Sequence, residues 1–318
     1  MKNLLITGGC GFIASNFLNY MIPKYTNLQF INIDALYYCA DINNITKENQ
    51  NAKNYKFIKA NICSEELVNH ILQEYKIDTV IHFAAQSHVD NSFSNPLQYT
   101  KDNIVGTHTL LECCRKWGKI TKFIHVSTDE VYGENENLDE NCSDIKNEKS
   151  ILNPTNPYAA TKASAEMIVN SYVYSYKMPI IITRGNNVYG PNQYPEKLIP
   201  KFIKLLQENK KCTIHGKGET VRSFLHVYDV SKAFELILHK GEIGEIYNIG
   251  TDEEYSVMDI AKKLVKLIKN NDTINDWITY VEDRAYNDKR YNISFQKLLN
   301  LGWKQQIYID EGLHNLVN

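Results

Sequence analysis

Short apolar runs alternate with stretches of helical periodicity from residue 4 to residue 183, and nothing else in the chain restricts the fold as much. Leu4-Leu5-Ile6-Thr7, Gln29-Phe30-Ile31-Asn32-Ile33, Tyr55-Lys56-Phe57-Ile58-Lys59, Thr79-Val80-Ile81-His82-Phe83, Phe123-Ile124-His125-Val126 and Ile180-Ile181-Ile182-Thr183 read as strands. Residues 64–75, 97–117 and 159–176 carry apolar side chains at helical spacing, with Ser64 a cap ahead of Glu65 and Glu66. Unbroken βαβ alternation predicts an α/β protein with a doubly wound parallel sheet, which binds its ligand beyond the carboxyl ends of the strands. Beyond Thr183 the pattern changes. Residues 184–195 are rich in Gly, Asn and Pro, 196–206 resume helical spacing, and shorter helices mixed with loops follow. This predicts a smaller α/β lobe over the open edge of the first. Val227 to His239 and Tyr247-Asn248-Ile249-Gly250 return to the large lobe as helix and strand. The expected division is 1–184 with 224–250 for the cofactor domain, and 185–223 with 251–318 for the substrate lobe. Residues 134–149, charged and Asn-rich, read as a solvated surface loop.

Composition narrows the function. A chain of 318 residues with 43% hydrophobic and 23% charged residues is ordinary for a globular protein, so disorder is not indicated. A net charge of -2 gives no global attraction for nucleic acid. The seven cysteines form no CxxC pair and lie near no histidine cluster, which reads as free thiols in a reducing cytosol, with no metal site. Met1 to Ile6 is too short for a signal segment and no run reaches the length of a membrane span, so a cytoplasmic protein without a membrane partner is expected.

The first strand enters Gly8-Gly9-Cys10-Gly11-Phe12-Ile13-Ala14, a tight turn and helix start. The early glycines permit the turn and a close backbone approach to a pyrophosphate. Gly11 opens a helix, with Phe12 and Ile13 in its first turn, whose amides can receive that anion. Asp34 ends the second strand, where a carboxylate accepts hydrogen bonds from both ribose hydroxyls of an adenosine and repels a 2'-phosphate; this favours NAD over NADP. Alternatively Asp34 caps the segment that follows. Asn61 could meet the adenine edge, and the small residues Ala84 and Ala85 would let the backbone lie close to the cofactor.

The fifth strand stops in Ser127-Thr128-Asp129-Glu130, two hydroxyls and two carboxylates at the edge of a sheet. Tyr158-Ala159-Ala160-Thr161-Lys162 puts a phenol and an ammonium on one helix face, a turn apart. The first segment offers a hydroxyl, an acid and a base; the second offers a proton-transferring Tyr supported by a cation. They are expected to meet over a nicotinamide ring. In an arbitrary α/β protein, Asp129 and Glu130 would instead cap a helix or pair with a surface Lys.

These segments, together with His82-Phe83-Ala84-Ala85-Gln86-Ser87-His88-Val89-Asp90, Val131-Tyr132-Gly133, Asn187-Val188-Tyr189-Gly190-Pro191-Asn192, Pro195 to Pro200, Val221-Arg222-Ser223-Phe224 and Asp283-Arg284 through Arg290-Tyr291, resemble the extended short-chain dehydrogenase/reductase family. Within it the chain resembles the nucleoside-diphosphate-glucose 4,6-dehydratases over nearly its whole length. Gln86, Asp90-Asn91-Ser92-Phe93, Arg184-Gly185-Asn186-Asn187 and Asn287 look most like the UDP-glucose dehydratases of UDP-rhamnose synthesis. Bacterial dTDP-glucose enzymes usually carry Glu, Asp-Arg-Ser, Asn-Cys-Ser-Asn and His there. Ala14 departs from the third glycine and Asn61 from the usual Asp, which weakens the expected contact to the adenine amino group.

The resemblance implies a Rossmann fold and NAD with Ile62 beside Asn61 at the adenine; separately, if the helices over 97–117 and 159–176 expose an apolar stripe after covering the sheet, two subunits could join as a homodimer through a four-helix interface. It implies that Tyr158, with Lys162 stabilising its anion, removes the proton from the sugar 4-hydroxyl as hydride passes to NAD, while Thr128 bonds that oxygen. Glu130 is then the base at C5, Asp129 the acid for the departing C6 hydroxyl, and hydride returns to C6. Arg222 and Arg284 fall to the diphosphate; Asn187, Lys197, Leu198 and Asn248 to the nucleotide pocket; Ser87 to the glucose or its phosphate. The implied reaction converts UDP-glucose to UDP-4-keto-6-deoxyglucose. Alternatives are a dTDP-glucose 4,6-dehydratase, a sugar-nucleotide 4-epimerase, which needs no acid/base pair for dehydration, and a nonenzymatic NAD-sensing protein.

Overall fold

Successive side chains of a strand point to opposite faces, so a strand covered on both sides must be apolar at consecutive positions. In β1 (Asn3–Thr7), Leu4 and Ile6 enter one core with Phe17 and Phe234, while Leu5 enters the other with Ile31 and Val80. The computed structural model describes residues 1–134, 145–270, 273–282 and 290–318. After β1 come β2 (Gln29–Asp34), β3 (Tyr55–Lys59), β4 (Thr79–His82), β5 (Lys122–Thr128), β6 (Ile180–Gly185), β7 (Asn187–Tyr189), β8 (Cys212–His215), β9 (Val221–His226), β10 (Ile246–Ile249), β11 (Glu254–Ser256) and β12 (Ile278–Val281). A seven-stranded sheet runs β10-β6-β5-β4-β1-β2-β3, with every neighbouring pair parallel.

Chain order reverses between β1 and β4, and that reversal opens a crevice at the carboxyl ends of the strands. Helices Phe12–Lys24 and Val227–Lys240 cover one face of the sheet; Glu65–Glu74, Gly106–Trp117 and Pro157–Tyr176 cover the other. Each fully buried Leu, Ile or Phe in these two cores contributes about 1.5–3 kcal/mol relative to exposure.

The remaining strands form the smaller lobe, β11-β9-β7 and β12-β8, around Phe202, Ile214, Phe224 and Leu264. Sequence periodicity presented this region as helices and loops; its strands have three to six residues, too few to display an alternation. Residues 97–117 are helical throughout but not uniform: an α-turn at Pro96–Tyr99, a π-helical stretch at Thr100–Val105, then α-helix at Gly106–Trp117. The wider turn carries Asp102 and Asn103 inward. Of the stretch read as a solvated loop, residues 135–144 lie outside the described residues, and its end is docked. Lys146 pairs with Ile293, and the Glu148 carboxylate accepts the Asn248 amide N–H at 3.1 Å.

A buried ion pair ties the Pro157–Tyr176 helix to β6. Arg184 Nη2 donates to Glu166 Oε2 at 2.6 Å and its Nε reaches both carboxylate oxygens, with the side chains 3% and 0% exposed. Arg184 Nη1 donates to the Tyr132 hydroxyl at 2.8 Å, and Tyr132 donates to Asn248 Oδ1 at 2.8 Å. Glu166→Ala would strand the guanidinium without a counterion. Urea denaturation of this variant is expected to show a loss of about 3–5 kcal/mol.

Candidate active site

One side of the crevice is built for a dinucleotide. Gly8 has φ +70°, and a Cβ there would lie 2.7 Å from the Ala84 backbone, so the turn and the β4 end approach as only glycine allows. The following helix starts at Gly11 without a side-chain cap and without an acidic residue in its first turn. Its first turn thus offers amides free of a side-chain cap and carries no acidic residue of its own, which suits a pyrophosphate. Asp34 is 7% exposed at the end of β2. Its Oδ2 accepts the Cys10 N–H at 2.9 Å and its Oδ1 the Leu36 N–H at 2.8 Å, leaving further lone pairs for ribose hydroxyls. Burial raises its pKa, with those two N–H groups opposing. The two backbone N–H contacts realise the capping alternative.

Asn61 lines the crevice with Ile62; its Oδ1 accepts the Cys63 N–H at 2.8 Å and its Nδ2 donates to the Tyr37 hydroxyl at 3.0 Å. Phe12, Ile13, Ala84 and Ala85 are also in the wall. These residues fit NAD. Gln86 is held from the π-helical turn, its N–H donating to Asn103 Oδ1 at 2.7 Å and its Nε2 to Asp102 Oδ2 at 3.0 Å.

The chemical groups gather where β5 ends. Thr128, Glu130, Tyr158 and Lys162 share the wall, with Ser127 between them. Helix Pro157–Tyr176 begins with Asn156 as its cap and Pro157 in the first turn. Asn156 Oδ1 accepts the Ala159 N–H at 2.9 Å, while its Nδ2 donates to Glu130 Oε2 at 2.9 Å. One side chain therefore sets both the start of the Tyr-Lys helix and the position of the carboxylate facing it. Lys162 Nζ donates to the Val126 carbonyl at 2.7 Å; burial pulls its pKa down to about 8 against the attraction of Glu166. Burial and the nearby Glu130 push the Tyr158 phenol upward, and the Thr128 hydroxyl opposes this.

Asp129 is 2% exposed. Its Oδ2 accepts Asn186 Nδ2 at 2.7 Å and its Oδ1 the Thr128 hydroxyl at 3.2 Å. Its pKa rises from an ordinary 3.8 to about 7, first through burial and then through Glu130; Asn186, Thr128 and Arg222 oppose the rise.

Towards the smaller lobe, Ser87, Asn187 and Lys197 line the crevice, and Lys197 Nζ donates to the Ser87 carbonyl at 3.2 Å. Arg222 stands on β9 with its guanidinium 4.9 Å from the Tyr291 ring centre, and its charge reaches Asp129. Leu198 begins helix Leu198–Gln207 and packs against the lobe core. Arg284 lies outside the described residues. Asn248 needs correction as a nucleotide contact: it is fully buried, its Oδ1 accepts from Tyr132, and its Nδ2 donates to the Ser294 carbonyl at 2.8 Å. Its side chain ties β10 to the turn at Tyr132 and to Ser294, with both polar ends occupied.

Sequence reading passed over Asn156, Asp102 and Asn186 as site residues. Asn156 carried a usable signal, an Asn directly before Pro at a helix start. Asp102 is hidden by the apparent regularity of its helix, and Asn186 acquires its partner only when β6 ends beside β5.

The family model described as GDP-mannose 4,6 dehydratase matches residues 5–316. The trifunctional UDP-glucose 4,6-dehydratase/UDP-4-keto-6-deoxy-D-glucose 3,5-epimerase/UDP-4-keto-L-rhamnose-reductase of Arabidopsis thaliana is 52% identical over 98% of this chain, which spans 46% of that protein's length. A dTDP-D-glucose 4,6-dehydratase of Dictyostelium discoideum is 49% identical, covering 98% of this chain and 80% of its own. The crystal structure of dTDP-glucose 4,6-dehydratase from Bacillus anthracis in complex with NAD superposes with a TM-score of 0.90 at 38% identity, covering 100% of this chain and 96% of that one. With Gly8, Gly11, Asp34, Thr128, Glu130, Tyr158 and Lys162 lining one crevice, the chain belongs to the family described as GDP-mannose 4,6 dehydratase.

Proposed function

We propose that this protein is a UDP-glucose 4,6-dehydratase, forming UDP-4-keto-6-deoxyglucose as an early step towards UDP-rhamnose. The observation that carries the reading is the contrast between adjacent acids: Asp129 is buried with its pKa raised to about 7, while Glu130 lines the crevice beside Tyr158. Removing water across C5 and C6 needs one group to take a proton and another to give one, and an epimerase needs neither. NAD, when bound, accepts hydride from sugar C4 and returns it to C6.

In this reading, Thr128 holds the 4-hydroxyl and Tyr158 takes its proton, with Lys162 as the nearby cation. The 4-ketone acidifies C5; Glu130 removes that proton and Asp129 protonates the departing C6 oxygen. Asn187, Lys197, Arg222 and Arg284 receive the nucleotide and its diphosphate, cations and amides being the groups that suit phosphate oxygens. Uridine is favoured by the 52% identity to the Arabidopsis dehydratase; dTDP-glucose is the second reading, favoured by the 49% identity to the Dictyostelium protein. Exposed Leu97 and Val105 on one long helix, and Met167 and Tyr174 on its neighbour, support a homodimer through four helices. No helix among the described residues is long and apolar enough to cross a membrane, and the described cysteines are free thiols, which favours the cytoplasm.

Purified protein supplied with NAD is expected to remove water from UDP-glucose, read by product mass, and to act on dTDP-glucose more slowly by no more than about 10–200-fold, since a methyl-sized difference discriminates weakly. Failure to dehydrate either substrate would overturn the reading. Tyr158→Phe is expected to lower turnover by about 10²–10⁴-fold and to prevent cofactor reduction. Glu130→Gln should permit C4 oxidation and stall there, seen as reduced cofactor absorbance without product. Asp129 serves as acid only while protonated, so elimination should be supported below pH 7 and fall as pH rises through about 7; Asp129→Asn should remove that alkaline limb along with most turnover.

A further inference from the structure

Asn186 sits at the end of β6, 6% exposed, with the end of β10 wrapped around it. Its backbone N–H donates to the Ile249 carbonyl at 3.0 Å, and its side-chain Oδ1 accepts the Thr251 N–H at 3.2 Å. A Cβ on Gly250 would lie 2.7 Å from that Oδ1, so glycine leaves the amide its place. An amide group has one accepting and one donating end. With the accepting end fixed on a backbone N–H, the NH2 end must point the other way, and it meets Asp129 Oδ2 at 2.7 Å.

We propose that Asn186 is the positioning residue of the acid, its amide occupying Asp129 Oδ2 so that the transferable proton resides on Oδ1, the oxygen beside the Thr128 hydroxyl at the crevice wall. This rests on the dehydratase reading and assigns one more residue to it. An amide N–H can only donate, so at Oδ2 it disfavours a proton in that direction; the Thr128 hydroxyl beside Oδ1 donates to the carboxylate but can turn to accept from the acid, which leaves Oδ1 as the site of the acid hydrogen. During elimination the Oδ1–H bond breaks and the proton passes to the C6 oxygen. The C6–O pair leaves with that oxygen as water, the C5–H pair becomes the new C5–C6 π bond, and Glu130 holds the C5 proton. Asp129 is left an anion, and the Asn186 N–H already faces the oxygen that shares its charge, the arrangement that makes a preorganised donor effective. The titratable and charged groups around Asp129 are Glu130 on its own turn, Tyr158 on the facing helix and Arg222 on β9. Asn186 is the one neutral donor among them besides Thr128.

The test uses Asn186→Leu, which keeps the branching and removes the donor, with Asn186→Asp, which keeps an acceptor for Thr251, as the second variant should the first fail to fold. In cofactor-free protein the infrared band of the protonated Asp129 carboxyl, identified by its disappearance in Asp129→Asn, is expected to persist to higher pH in the variant than in the parent. In single turnover the variant should reduce cofactor and then eliminate water about 10–100-fold more slowly, with the alkaline limb displaced upward. A residue that merely fills space would slow both steps together and leave the band unmoved. An unchanged titration of Asp129, or elimination at the parental rate, overturns the proposal. A parent protein that dehydrates no nucleotide-glucose overturns the dehydratase reading instead, and the infrared titration still decides whether Asn186 governs the Asp129 proton.

Discussion

The contact on which the site depends is made out of solvent, between Glu166 and Arg184. Their side chains are 0% and 3% exposed, and the guanidinium spans both carboxylate oxygens. Such a pair adds little net stability, because desolvating both charges offsets most of their attraction; its value lies in direction. Glu166 is one helical turn beyond Lys162, and Arg184 ends β6 next to β5. Sliding the helix by one residue would separate the charges in a medium that tolerates neither alone. Through Tyr132 and Asn248 the same guanidinium also fixes the turn after Glu130 and the strand at the sheet edge. The Tyr-Lys helix and the acid-bearing turn come from distant parts of the chain, and this pair sets their register.

Within that frame, two neighbouring carboxylates are separated chemically by what each faces. Asp129 turns inward between Thr128 and Asn186, where burial disfavours its charge. Glu130 turns to the crevice and to the Asn156 amide, a donor to a carboxylate. After burial, the Glu130 charge is the second contribution that favours a protonated Asp129. The same charge pushes Tyr158 upward, which makes the phenol a poor base in the free protein.

Much of this was legible in the sequence because strand ends and helix faces are local properties. The β5 run ending in Thr128-Asp129-Glu130 and the spacing of Tyr158 and Lys162 each state their geometry within a few residues. Asp34 was legible for the same reason, at the end of β2. The lobe was less so: three residues of β7 or β11 cannot show a period of two, and their pairing depends on partners far along the chain. The π-helical turn at Thr100–Val105 was hidden because apolar spacing over a long helix averages out one wider turn, although that turn aims Asp102 and Asn103 at Gln86. Asn248 was misjudged because a polar residue at a strand end resembles a ligand contact when its buried partners, Tyr132 and Ser294, are out of view.

The two halves of the crevice are joined by polar contacts across its rim. The Tyr38 hydroxyl donates to Glu196 Oε1 at 3.1 Å, His88 approaches the same oxygen at 3.7 Å, and Lys197 reaches the Ser87 carbonyl. Burial lowers the Lys197 pKa, with Glu130 and Glu196 the main opposing charges. A neutral carbonyl is a modest partner for a desolvated ammonium, and a diphosphate is a far better one. On the proposed reading, an anionic nucleotide would favour the charge that burial disfavours and compete with the Ser87 carbonyl for Lys197.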